Sequence, residues 1–173
     1  GARPRPPAFL DARHTATADM RRVRFPPADR LVLVPVELVI GARQALLVTA
    51  GLLLIGGASA QGWSSAGVRA VGLPAAGLFL GAFLAAAVVG PALLPWLPGR
   101  AFAVKGAALG IAVFATCAGL GWGMGSSWLH IPAWGLAIPA LSSFVVMNFT
   151  GATTFTSQSG VLREMRVALP LQI

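Results

Sequence analysis

The sequence predicts an all-α integral membrane protein: a bundle of about four transmembrane helices, with an N-terminal linker and a C-terminal tail on the cytoplasmic side. Three observations predict it. Hydrophobic residues make up 56% of the 173, and charged residues only 10%, against about 25% in an ordinary soluble domain. From Gly106 to Leu162 no Asp, Glu, Lys or Arg occurs. The basic residues cluster near or beyond the ends of the apolar stretches instead of lining one face of each. Too few charges remain to cover a soluble globule. The apolar excess excludes a disordered tail, and a single cysteine excludes a disulfide scaffold.

The elements follow in order. Residues 1–33 form a linker with seven arginines and three aspartates, net +4. Span one is predicted at about Leu38–Ala58. Pro35 suits its first turn, and Glu37 suits the positive end of its dipole. Span two is predicted at about Val71–Leu94, span three at Lys105–Gly125 and span four at Ala133–Thr150. Each is near the roughly 20 residues that cross a hydrocarbon core. The bundle therefore occupies residues 34–151, and the tail residues 152–173. A fifth span requires splitting residues 28–58 into a re-entrant piece and a helix; four is the preferred count.

Four spans return both ends to one side. Twelve of the thirteen basic residues then fall on the side of the termini, and only Arg69 on the other. The positive-inside rule places that side in the cytoplasm of an inner membrane. The +8 charge is thus a set of span flanks, without the aromatic-interleaved patch of a nucleic-acid binder.

Within the spans, small residues recur at four-residue spacing: Gly77/Gly81, Gly106/Gly110, Gly119/Gly123 and Gly121/Gly125, with Ala82, Ala86 and Gly90 in a further row. Such rows let backbones approach closely. A compact bundle is the first reading and a homodimer the alternative. Trp63, Trp96, Trp128 and Trp134 lie near predicted span ends, as interfacial tryptophans do; Trp122 lies deeper and reads as a packing residue. Three polar residues are candidates inside the membrane. Arg43 is expected to snorkel toward the terminal side, Glu37 stands on a poorly matched face from it, and Asn148 must find a partner at its depth. Cys117 reads as an apolar packer and His130 as a loop residue. Together they have no metal-ligand spacing.

No phosphate loop, carboxylate pair, catalytic triad or series of intramembrane acids is present in the sequence. No catalytic, cofactor-binding or metal-ligating residue is assigned. The hydroxyl- and amide-rich run from Asn148 to Gln158 reads as a polar loop ahead of the tail. The strings MRRVRFP (20–26) and MRVALP (165–170) both alternate apolar and polar residues before a proline, as short pairing strands do. Arg21, Arg22, Arg24, Arg100, Lys105, Arg163 and Arg166 are candidate contacts for lipid headgroups or a docking partner.

Three longer strings carry a resemblance. AFLDARHTATADMRRVRFPPADRLVLVPVELV (8–39), GPALLPWLPGRAFAVKG (90–106) and NFTGATTFTSQSGVLREMRVALPLQ (148–172) resemble the membrane part of the mercury-methylation corrinoid proteins. That resemblance implies a cytoplasmic corrinoid domain joined to a helix bundle often drawn with five spans. It also implies methyl transfer from the corrinoid to inorganic Hg(II), and a ferredoxin partner with two [4Fe–4S] clusters. The cap-helix motif whose cysteine ligates cobalt in that family is missing here, and Cys117 has neither its neighbours nor its location. The chain begins at Gly1 and reads as a C-terminal fragment: linker, bundle and tail. The expected role is to anchor and position a corrinoid methyltransferase domain. A small transporter or channel, and the membrane part of a corrinoid relative with another methyl acceptor, are the alternatives.

Overall fold

The computed structural model describes residues 34–122 and 128–148, together with residues 28, 31–32, 165–168 and 170. Four helices dominate: α1 (Val34–Gly57), α2 (Ser65–Leu93), α3 (Phe102–Gly119) and α4 (His130–Asn148). All four are long and apolar enough to cross a membrane. At about 1.5 Å per residue, the 24 residues of α1 reach ~36 Å and the 18 of α3 ~27 Å, bracketing a ~30 Å hydrocarbon core. The order matches the four predicted spans. α1 runs unbroken from Val34 to Gly57, within the region that a fifth span would have divided.

The boundaries differ from expectation where local capping decides them. α1 starts four residues early because Pro35, at its second position, lacks an N–H that would have no helical partner anyway. α2 starts six residues early. Ser64 has extended backbone (φ −137°, ψ 128°), and its hydroxyl accepts the Gly67 N–H at 3.0 Å. That is an N-cap, which satisfies one orphan donor of the first turn. α3 stops six residues early. Gly121 turns left-handed (φ 67°), Trp122 N–H reaches the Cys117 carbonyl at 2.9 Å, and Gly121 N–H reaches Ala118 at 3.0 Å. This pair of bonds is the Schellman ending that glycine makes cheap.

α2 is not a uniform helix. It widens into π turns at Val68–Gly72 and at Ala85–Val89. Each turn contains the carbonyl four residues before a proline: Ala70 before Pro74, Ala87 before Pro91. A proline ring clashes with that carbonyl and supplies no N–H to it. The wider turn relieves both problems without breaking the helix.

α1 and α2 are joined by a two-stranded hairpin, β1 (Ala58–Ser59) and β2 (Gly62–Trp63), with Ala58 opposite Trp63. Gly62 (φ 111°) closes its turn. Beyond it the two helices cross at glycine. A Cβ on Gly56 would fall on the Gly72 backbone, and one on Gly67 would stand 2.7 Å from the Gly56 carbonyl oxygen. α3 and α4 form the most extensively packed helix pair. There, a Cβ on Gly106 would lie 2.5 Å from the Ser142 carbonyl oxygen, and one on Gly110 would lie 2.5 Å from Pro139 Cα. The Gly106/Gly110 row is therefore an intramolecular contact. Ala82, Ala86 and Gly90 are likewise buried, with Gly90 against Val146 of α4.

Two of the other glycine rows behave differently. Gly77 lies against the indole of Trp122, with Gly81 at the edge of that ring. Gly119 and Gly121 have no neighbour within 4 Å of a would-be Cβ; Gly123 and Gly125 lie outside the described residues.

Side-chain packing forms two clusters. The larger joins Ala45, Phe83, Ala86, Ala87, Leu94, Phe102, Leu109, Val145 and Val146. The smaller joins Leu78, Ala82 and Ile138. α1 stands at the edge: within it only Ala45 and Gly57 are buried, and Val39 is 76% exposed. Such a face would be costly in water and is ordinary in lipid. Residues 165–168 are helical, which corrects the strand expected there; residues 20–26 lie outside the described residues.

Candidate membrane-interface site

Antiparallel pairing brings four helix termini to one end of the bundle: the starts of α1 and α3 and the ends of α2 and α4. Among the described residues, the polar side chains at that end include Glu37, Asn148, Lys105 and Arg100. Asn148 Nδ2 donates to Glu37 Oε1 at 3.2 Å. The amide at the end of α4 thus finds the partner its depth requires, and the partner is the carboxylate in the first turn of α1. Glu37 also faces the partial positive charge of that helix end. Arg43 is exposed and forms no ion pair with Glu37. Six helical positions separate the two, so they point to different faces.

Lys105, one turn into α3, donates its ammonium to the Leu94 carbonyl. Leu94 caps the end of α2, where the last carbonyls have no helical partner. A cation there also meets the negative end of the α2 dipole. Lys105 therefore fastens the α2–α3 loop. The loop is held elsewhere too. Trp96 N–H bonds to Leu93 O at 2.9 Å and Leu97 N–H to the same oxygen at 3.1 Å. Leu97 packs on the larger cluster, and Gly99 takes φ 92° with Val104 against it. Trp96 and Arg100 point outward from this fixed loop, Trp96 at 74% exposure. Arg166 is exposed on the turn of residues 165–168. Arg21, Arg22, Arg24 and Arg163 lie outside the described residues.

Just inside that end, Ser143 Oγ donates to the Ala103 carbonyl at 2.9 Å, a cross-helix bond between α4 and α3. Its neighbour Ser142 is 0% exposed, and its hydroxyl has no partner. A hydroxyl left so in an apolar interior costs about 1–3 kcal/mol. Neither serine stands out in the sequence. The charge-free run between Gly106 and Leu162 hid them among ordinary small residues.

Cys117 is half-buried against the Leu78–Ala82–Ile138 cluster, as an apolar packer would be. With Ala112, Val113 and Thr116 it lines a shallow open depression of about 240 Å³. Thr116 spends its hydroxyl on its own helix, at the Ala112 carbonyl 2.8 Å away. No group of three His, Cys, Asp or Glu residues that could hold a metal ion occurs among the described residues.

The opposite end carries Trp63 and Trp128, both well exposed, and Arg69. Trp134 instead packs on the smaller cluster. Trp122 is half exposed beyond the end of α3 and folds back over Gly77, so it packs from a turn and not from within a span. His130 is the half-buried first residue of α4, not a loop residue.

Compared with family models, curated proteins and solved structures, the chain matches none.

Proposed function

We propose that the chain is a membrane anchor that holds cytoplasmic material against one face of the bilayer. In the fuller reading, that material is a corrinoid domain that methylates inorganic Hg(II), kept near a reducing ferredoxin. The observation that carries the anchor is the Glu37–Asn148 bond: it ties the first membrane helix to the last at the end from which both flanking segments leave. Anything joined ahead of α1 is thereby held beside whatever follows α4. Such tethering raises effective concentration without new chemistry. The twelve-to-one distribution of basic residues supports placing that end in the cytoplasm. The corrinoid and Hg(II) part rests on the three resembling strings alone. Cys117 lies among apolar side chains partway along α3, which does not fit a cobalt ligand, so no step of methyl transfer is assigned to these residues.

The anchor is tested by cysteine accessibility in a Cys117→Ala background. A cysteine at Ser59 should react with an impermeant maleimide from the periplasmic side, and one at Arg100 only after the membrane is opened. The reverse pattern overturns the orientation. The methyltransferase reading is tested separately, by sequencing the coding region ahead of Gly1. A corrinoid domain with a cobalt-ligating cysteine is expected there, and its absence removes that reading while leaving the anchor.

A further inference from the structure

We propose that the α2–α3 loop is a binding site for the headgroup of an anionic phospholipid, with Arg100 as its phosphate contact and Lys105 excluded from it. The proposal rests on the reading of the chain as a membrane bundle. Charge alone would treat the two basic residues alike; the geometry separates them. Lys105 is half-buried and committed to the Leu94 carbonyl. Arg100 is exposed on the outer side of a loop pinned at Leu93, Leu94 and Leu97. A guanidinium presents a planar fork that matches phosphate oxygens.

Trp96 gives the depth. It is 74% exposed, beside the buried end of α2, the setting in which an indole lies in the headgroup layer. Three residues separate it from Arg100, ending at the Gly99 turn. The backbone bonds of Trp96 and Leu97 to Leu93, together with Lys105 on Leu94, order the loop before lipid arrives. A lipid phosphate then meets a guanidinium whose loop needs little further ordering, which reduces the entropic cost of binding. Glu37, the nearest acid in sequence on the same end, is occupied by Asn148 and does not compete for Arg100 through an ion pair.

The test uses the full chain released from mixed micelles of phosphatidylcholine and phosphatidylglycerol, with retained lipid read by native mass spectrometry. The wild type should retain phosphatidylglycerol preferentially. Arg100→Gln should cut that preference about fivefold, the order expected for one basic residue at an anionic surface. Arg69→Gln, at the opposite end, should leave it unchanged. Lys105→Met should lower the unfolding midpoint and cut the preference by less than Arg100→Gln does. No preference in the wild type, or one that survives Arg100→Gln, overturns the proposal. So does Arg100-dependent binding of soluble polyglutamate without lipid preference, which would assign the loop to an acidic protein. Alkaline carbonate extraction of the chain from vesicles separates the two readings. A chain that washes off defeats the membrane bundle itself, whereas one that stays but shows no preference defeats only the headgroup site.

Discussion

Asn148 donates its side-chain amide to the carboxylate of Glu37 across 3.2 Å, so the end of α4 is bonded to the first turn of α1. The pair is partly exposed, and a bond of this kind contributes about 1 kcal/mol. Glu37→Gln should retain part of it and Asn148→Leu should lose it. In detergent unfolding titrations Asn148→Leu should cost about 1 kcal/mol and Glu37→Gln less, and the double variant should cost no more than Asn148→Leu alone. Full additivity would show that the contact carries no coupling.

The α3–α4 contact should be intolerant of one methyl group. Gly110→Ala places a carbon 2.5 Å from Pro139 Cα, a backbone atom that cannot step aside. Overpacking of this kind costs about 1–3 kcal/mol. Gly119→Ala, with open space around it, should be neutral or slightly stabilising. Equal loss in both would show that α3 packs through another face.

The adjacent serines should respond in opposite directions. Ser143→Ala removes a bond to the Ala103 carbonyl and should destabilise by about 1 kcal/mol. Ser142→Ala removes a buried hydroxyl with no partner and should be neutral or stabilising. A loss on Ser142→Ala would reveal a bond made by that hydroxyl in the membrane.

If the chain moved mercury, the thiol of Cys117 would be the one thiol it could use. Cys117→Ala should leave Hg(II) uptake by cells expressing the chain unchanged. A marked fall would revive the transport alternative.

Much of the architecture was legible because lipid imposes a simple rule on sequence: about twenty apolar residues between charges. All four long apolar helices could be read that way, and the Gly106/Gly110 contact from the four-residue spacing of small residues. Helix ends could not, because Ser64 and Gly121 act through backbone geometry and not through hydropathy. The candidate site was half legible. Asn148 announced its need for a partner, but only the antiparallel course of the chain brings Glu37 to it. Lys105 and Arg100 look equivalent as letters. What separates them is a carbonyl at the end of another helix, and no local pattern encodes that.

The two proline-linked π turns carry a consequence for how α2 tolerates change in length. A π turn holds one residue more than the α turn it replaces, so each is in effect an insertion already absorbed. Removing one alanine from Ala85–Ala87, together with Pro91→Ala, should let the ladder close as ordinary helix, with Gly90 still against Val146. The same deletion in α3 has no spare residue to consume and would rotate Gly106 and Gly110 out of register with α4. The second helix thus has built-in slack in its reading frame of faces, and the third has none.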